Sequence, residues 1–383
     1  MGNSAREAGR HTYLAVPYSE KDAAKEAGAR WDKEAKSWYF DDTAASPDKF
    51  KAWLPENRPR QYASPKAQFQ SAMRSLGLEV YGKHPIDGGK PQRVRTGGDR
   101  RGETAGYYTF HLDGAVPAGY IKNFRTGEEL HWRAKTQRLN EYERATLAAE
   151  MAAQKARREQ ERLAEQERIA AHTQHAAARL TPVSAPTPYL AAKGIAVHPG
   201  ILTDADGNTY VPAYDASGKQ WTMQSISPDG IKRFVKGGRK AACFHVVGGF
   251  CALAKPGTIL VAEGYATAAS ISEAMGQPAV AAFDAGNLES VARALREKFP
   301  GKPIVICADD DRHVKGNPGW SKALKAASAV GGIAVRPAFL PEDIAADSKA
   351  FTDFNDLAAK SALGKEAIRR QIEPAMLAAK QEV

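Results

Sequence analysis

From residue 257 to 311 apolar and polar residues come in blocks rather than singly. Thr258-Ile259-Leu260-Val261-Ala262 and Pro303-Ile304-Val305-Ile306-Cys307-Ala308 are runs with no outward-facing polar alternation. Such runs read as strands buried on both faces. Residues 279–283 form a third run, and helix-like segments occupy 268–275 and 288–298 between them. Strand, helix, strand, helix, strand predicts a parallel sheet with crossover helices. A further crossover helix at 321–330, a strand at 333–338 and a tail helix at 367–380 continue the pattern.

Upstream the period is shorter and the elements smaller. Tyr13-Leu14-Ala15-Val16-Pro17 reads as a strand, Ser19 as the cap of a helix over 20–27, and Gly28 as its end. Arg30-Trp31-Asp32 and Ser37-Trp38-Tyr39-Phe40 pair as a hairpin about a turn at 33–36. A polar, proline-rich stretch at 55–65 is a linker. A helix over 67–76, a turn at Asp87-Gly88-Gly89, an alternating hairpin at 106–114 and a strand and turn at 119–128 make a β-rich module. Residues 140–178 hold no proline or glycine and read as one long helix whose apolar residues are mostly alanine. Its expected docking residues are Leu147, Met151, Leu163 and Ile169; a coiled-coil dimer is the alternative, on a poor heptad. Three prolines within 181–188 predict a boundary. Beyond it, strands at 209–215 and 221–226 join through a turn at Gly218. The expected organisation is a small α+β domain (11–55), a β-rich module (63–137), a connecting helix (138–180), the first part of a core (181–254) and the parallel sheet with its tail helix (255–383).

Candidate chemistry sits where the buried runs stop. Open parallel sheets bind ligands at the carboxyl ends of their strands. Glu263 follows one run, and Asp309-Asp310-Asp311 follow another. Residues i and i+2 of an extended segment point the same way, so Asp309 and Asp311 face one site. Clustered carboxylates repel unless a cation neutralises them, and an oxygen-only set suits Mg²⁺ or Mn²⁺ with substrate phosphates. A solvated turn is the simpler reading of either acid alone. Two acidic strand ends in one βαβαβ pattern favour a metal site for phosphoryl chemistry.

Basic residues add three places. The run Gly230-Ile231-Lys232-Arg233-Phe234-Val235-Lys236-Gly237-Gly238-Arg239-Lys240 combines glycines with Lys232, Lys236, Arg239 and Lys240, and is a candidate contact for nucleotide or template. It reads equally as a basic hairpin turn. Trp31, Trp38 and Tyr39 among lysines can stack bases of single-stranded DNA, although the core of a tiny domain also needs its tryptophans. Arg93 and Arg95, with Lys90, Arg100 and Arg101, make a basic loop able to track phosphates.

The 383 residues carry a formal net charge of +10, which favours a polyanionic partner. The three cysteines form no CxxC, so no zinc is expected, and their low, odd number suits a reducing cytoplasm. No GxxxxGK[ST] occurs, which excludes a P-loop helicase motor. No apolar run approaches the ~20 residues a membrane span needs. Residues 1–10 lack the apolar stretch of a signal peptide.

Glu263-Gly264-Tyr265-Ala266-Thr267-Ala268 followed by Ala308-Asp309-Asp310-Asp311 resembles the TOPRIM domain of bacterial-type primases, topoisomerases and some nucleases. Ala281-Ala282-Phe283-Asp284-Ala285-Gly286-Asn287-Leu288 is similar to that family's middle motif, and Asp353-Phe354-Asn355-Asp356-Leu357 to its closing acidic signature. The wording around Glu263 looks most like primases of conjugative plasmids, integrative elements and satellite phages. The resemblance implies a Rossmann-like α/β fold, metal ligands among Glu263, Asp309, Asp311, Asp353 and Asp356, and catalytic roles for the first three. It implies primer synthesis on single-stranded DNA from NTPs, with a separate helicase or relaxase as partner and no membrane. The missing zinc ribbon departs from replicative primases. Residues 11–55 resemble a small domain often fused to mobile-element proteins. A TOPRIM nuclease and a non-catalytic single-strand-binding accessory protein are the alternatives; a topoisomerase would need a strand-cleaving tyrosine and a large gate.

Overall fold

The computed structural model describes residues 11–41, 47–58, 64–113, 116–134, 140–347 and 349–381. The turn expected at Gly114 and the beginnings of the chain and of the connecting helix lie outside them. The chain divides into two compact units, Met1–Arg162 and Leu163–Val383, and the division falls within helix Glu141–Ala177.

The first unit holds two antiparallel sheets. His11–Leu14, Ser37–Asp41 and Arg30–Asp32 form the first, with Ser37–Asp41 central. Helix Lys21–Glu26 has Glu20 at its N-cap with no side-chain bond there. Ser19 is therefore not the cap; its hydroxyl donates to Glu141 at 2.7 Å instead. Strand alternation separates the aromatic residues. Trp38 packs with Phe40, Phe50 and Trp53, whereas Tyr39 turns to the opposite face, against Ala149 and Ala152 of the long helix. The second sheet runs Gln92–Val94, Gly106–His111, Ala118–Asn123, Glu129–Arg133 in simple succession. Helix Pro65–Ser75, capped by Ser64 and started by a proline, covers one face, where Phe69, Tyr108, Phe110, Ile121 and Trp132 make the core.

The long helix docks through small residues. Thr146, Ala149 and Ala152 are buried in the first unit, and Ile169, Ala170 and Thr173 in the second. Leu163, expected to dock, is 37% exposed. Alanines allow a close backbone approach that a leucine would hold apart.

The second unit is built on two five-stranded sheets. One is antiparallel, in the order Lys232–Phe234, Gln220–Ile226, Thr209–Tyr214, Leu202–Thr203, Thr181–Pro182. Thr181 and Pro182 are thus paired edge residues rather than a free linker, and the start of the basic run is itself an edge strand. The other sheet runs His245–Val247, Ala279–Ala281, Ile259–Ala262, Ile304–Cys307, Ile333–Val335, with all but the first parallel. Helices Tyr265–Met275, Phe354–Ala359 and Gly364–Gln381 pack on one face, and Leu288–Lys298 and Pro318–Ser328 on the other. This is the α/β sheet with crossover helices that the blocks of apolar residues predict. Short helix Pro341–Ala346 was not foreseen. The antiparallel sheet joins through a bridge between Tyr214 and Phe244 and a shared apolar core.

Candidate active site

The parallel strands succeed one another in the chain as Ile259–Ala262, Ala279–Ala281, Ile304–Cys307, but the first lies between the other two. The connection leaves to one side of the first strand and then to the other. The crevice beyond the strand ends at such a reversal is where open sheets bind ligands. Glu263 ends the first strand and Asp309 follows the third, so both stand at that crevice.

Each acid is set by a different local device. Glu263 lies beside the turn Ala285–Asn287, whose Ala285 backbone N–H favours its charged form. Asp311 accepts the N–H of Gly319 at 3.0 Å, in the first turn of helix Pro318–Ser328. A Cβ on Gly319 would lie 2.7 Å from the Asp309 carbonyl oxygen, so only glycine lets this helix start so close. Asp310 faces away, bonded by Arg312 at 2.8 Å and Asn317 at 2.6 Å, and its N–H donates to Thr352. That last bond ties the 352–356 segment beside the acids. There Asp353 caps helix Phe354–Ala359, accepting the Asp356 N–H at 2.8 Å.

Asp356 is otherwise engaged. One oxygen accepts the N–H groups of Thr352 and Asp353, and the other pairs with Lys360 at 2.7 Å. Expected as a ligand, it completes a capping box, and both its oxygens have partners within its own segment.

Electrostatics mark the rest as one cluster. Burial, then the charges of Asp353, Glu263 and Asp311, raise the Asp309 carboxyl well above its ordinary range. Burial, then Asp311 and Asp284, raise Glu263 against the opposing Ala285 N–H. Burial and then Asp356 raise Asp353, opposed by its own cap bond, by Lys193 and by the nearby Thr267 hydroxyl. Lys232 belongs here too. Its stem is exposed on the edge strand, but its Nζ comes within 4.0 Å of where a Gly264 Cβ would be and 6.0 Å from the Tyr189 ring. Loss of hydration and the nearby Lys193 lower its pKa, while Asp353, Asp309 and Glu263 pull the other way.

The donor set suits a hard divalent cation. Asp309 Oδ1 is buried without a partner among the described residues, and its neighbours are carboxylates. Among those residues no three acidic, His or Cys side chains close around one point. Mg²⁺ needs fewer, because it keeps waters and substrate phosphates as ligands beside one or two carboxylates.

The basic run does not act as a unit. Lys240 is paired with Asp284, Arg239 lies over the Trp221 ring at 4.4 Å, and Lys236 is exposed. Asn287 holds the run's end against the sheet: its side chain accepts the Ala242 N–H and donates to the carbonyls of Lys240, Cys243 and Ala282. Asp284 in turn accepts the Asn287 N–H at 3.0 Å. Sequence reasoning did not single out Asn287, Thr267 or Lys193. The Asp284-x-x-Asn287 spacing of an N-cap was a usable signal; Lys193 had none. Trp31, Trp38, Tyr39, Arg93 and Arg95 all lie in the first unit. There Trp31 is 48% exposed and edge-on to Trp38, and Arg95 is turned to the Asp99 carbonyl.

Residues 258–363 match the Toprim domain family, and residues 11–55 match a domain of unknown function, DUF5710. A DNA primase TraC of Escherichia coli is 44% identical over 98% of this chain, and a second protein of that name and organism is 43% identical over 95%. The chain spans 41% and 30% of their respective lengths. Among solved structures, the DnaG primase catalytic domain bound to ssDNA aligns over 57% of this chain and 82% of that one, at 17% identity and a TM-score of 0.38. The primase fragment of the bacteriophage T7 primase-helicase protein aligns over 48% and 73%, at 19% identity and a TM-score of 0.35. Superpositions that loose add nothing to the fold assignment. Residues 258–363 thus match the Toprim domain where the acids stand at the reversal of the sheet, and the chain is similar almost end to end to the two TraC DNA primases.

Proposed function

We propose that the chain is a DNA primase, joining NTPs into short RNA primers on a single-stranded DNA template. The observation that carries this is the placing of Glu263 and Asp309 at strand ends flanking the reversal point of the sheet, with the charges of Asp353 and Lys232 acting on them. Asp309 and Asp311, with Asp353 behind them, would hold Mg²⁺ or Mn²⁺. A bound ion would supply charge neutralisation to these carboxylates and to the triphosphate. The primer 3′-hydroxyl attacks the α-phosphorus of an NTP; the new P–O bond forms as the bond to pyrophosphate breaks. Glu263 accepts the hydroxyl proton, a role suited to a carboxyl whose basicity is raised by burial and by Asp311 and Asp284. Lys232 meets the triphosphate from the opposite wall.

The name of the relatives suggests service to a mobile element, in replication or conjugative transfer in the cytoplasm, with a helicase or relaxase beside it. Among the described residues no helix is long and apolar enough to cross a membrane. The test is a gel assay with single-stranded DNA, labelled NTPs and Mg²⁺ or Mn²⁺. Labelled oligomers are expected, absent in Asp309→Ala. Shortened DNA would instead mean a nuclease, and a mobility shift alone a binding protein.

A further inference from the structure

The four-stranded sheet of the first unit has one face under helix Pro65–Ser75, and the other is bare among the described residues. Alternation sends Tyr107, Tyr120, Lys122 and His131 to the bare side, where they neighbour one another across strands. Tyr107 lies 6.0 Å from Tyr120 and 6.2 Å from Phe124, and Tyr120 lies 4.8 Å from His131, centroid to centroid. Phe124, just past the strand end, is 51% exposed. Cations frame these rings. The Arg93 guanidinium sits 4.5 Å from the Phe124 centroid and 5.7 Å from Tyr107, and the Lys122 ammonium 5.5 Å from Phe124. The acid on this face, Glu129, is bound by Lys122 and the Tyr120 hydroxyl.

Nothing in the core needs this arrangement, because Phe69, Tyr108, Phe110 and Trp132 fill the other side. Rings presented on a sheet and rimmed by Arg and Lys are a stacking platform: each base offers a π-face, and each phosphate meets a cation. Charge decides between this face and the other exposed aromatics. Residues 64–113 and 116–134 carry 11 Lys and Arg against seven Asp and Glu, a surplus of four. Residues 11–41 and 47–58, which hold Tyr18 and Trp31 beside a hollow of about 220 Å³, carry eight of each. A polyanion is drawn to the first and not to the second.

We propose that the bare face of the sheet formed by Gln92–Val94, Gly106–His111, Ala118–Asn123 and Glu129–Arg133 binds single-stranded nucleic acid, its bases stacking on Tyr107, Tyr120 and Phe124 and its phosphates on Arg93 and Lys122. The N-terminal aromatics Trp31, Trp38 and Tyr39 are not part of it.

The test is fluorescence anisotropy of labelled oligo(dT) and oligo(U) with the full chain, without nucleotide or metal, across a salt series. Tyr107→Ala with Phe124→Ala should weaken binding about tenfold or more, the loss expected for two stacked bases. Arg93→Ala should lower the log–log salt slope by about 0.7. Phe124→Trp should bind as the unchanged protein does, and so should Trp31→Ala. Phe124 is half-exposed, so a melt of Phe124→Ala alone separates lost binding from lost fold. Unchanged affinity in the double variant, or a loss in Trp31→Ala instead, would overturn the assignment. So would binding to anionic vesicles with none to either oligonucleotide. Because binding is read without nucleotide, failure here leaves the nucleotidyl-transfer reading standing.

Discussion

Asp309 is the residue on which the site turns. It is held among Asp353, Glu263 and Asp311 with one oxygen unpaired, an arrangement unfavourable for a charged carboxyl until a cation arrives. Without divalent cations, Asp309→Asn should therefore be more stable than the unchanged protein at neutral pH, by about 1–2 kcal/mol, or ~2–6 °C in a unit of this size. The sign follows from the folded carboxyls. Asp309, Glu263 and Asp353 bind their protons more tightly folded than at the ordinary 3.8, 4.5 and 3.8. Their contribution to stability is greatest below that range and is lost as pH climbs through it toward the raised folded values. Melting in a chelator from pH 3.5 to 7 should show the gap between variant and unchanged protein opening with pH. A gap that closes, or a variant less stable at pH 7, would mean the carboxyl is not under this repulsion. Added Mg²⁺ should then raise the melting temperature of the unchanged protein and much less that of the variant.

At the scale of elements, the turn at 284–287 does two jobs. Its Ala285 N–H favours the charged form of Glu263, and Asn287 pins residues 240–243 of the basic run. The run is thereby divided between strand and loop, and its cations have separate neighbours. Lys232, on edge strand Lys232–Phe234, is the one whose ammonium feels the charges of Asp353, Asp309 and Glu263. Lys232→Ala should raise the KM for NTP about tenfold or more, as loss of a charge-assisted bond to phosphate would. Lys236→Ala should leave it near the unchanged value. Steady-state primer synthesis at varied NTP reads both, and a KM that moves only with Lys236 would assign nucleotide to the loop instead.

For the whole molecule, the division inside helix Glu141–Ala177 indicates what can stand alone. A fragment 163–383 keeps Ile169, Ala170 and Thr173 on the second unit's core. A fragment 181–383 loses them and exposes what they cover, at about 2–3 kcal/mol for the isoleucine and its small neighbours. Urea unfolding should find both cooperative and the longer one more stable by that margin. Equal stability would show that the helix adds nothing to this unit.

The chain's own pattern determined the parallel sheet, its crossover helices and the placing of Glu263, Asp309 and Asp311 at strand ends. Runs buried on both faces leave no doubt about where a strand stops, and an acid directly after one is at its carboxyl end. It determined the long helix as well, since 37 residues without proline or glycine have few other options. Other features waited for the tertiary structure. Lys193 reaches Asp353 because Asn355 bonds the Lys193 carbonyl across the unit, a contact between residues 162 positions apart. Asp356 stands in the acidic signature whose resemblance implies a ligand, but its helix start and Lys360 engage its oxygens. Tyr39 and Trp38 are adjacent in sequence and face opposite sides of one strand. A carboxylate or a ring has the same letter whether it caps, packs or binds; which it does depends on groups brought to it by folding from far along the chain.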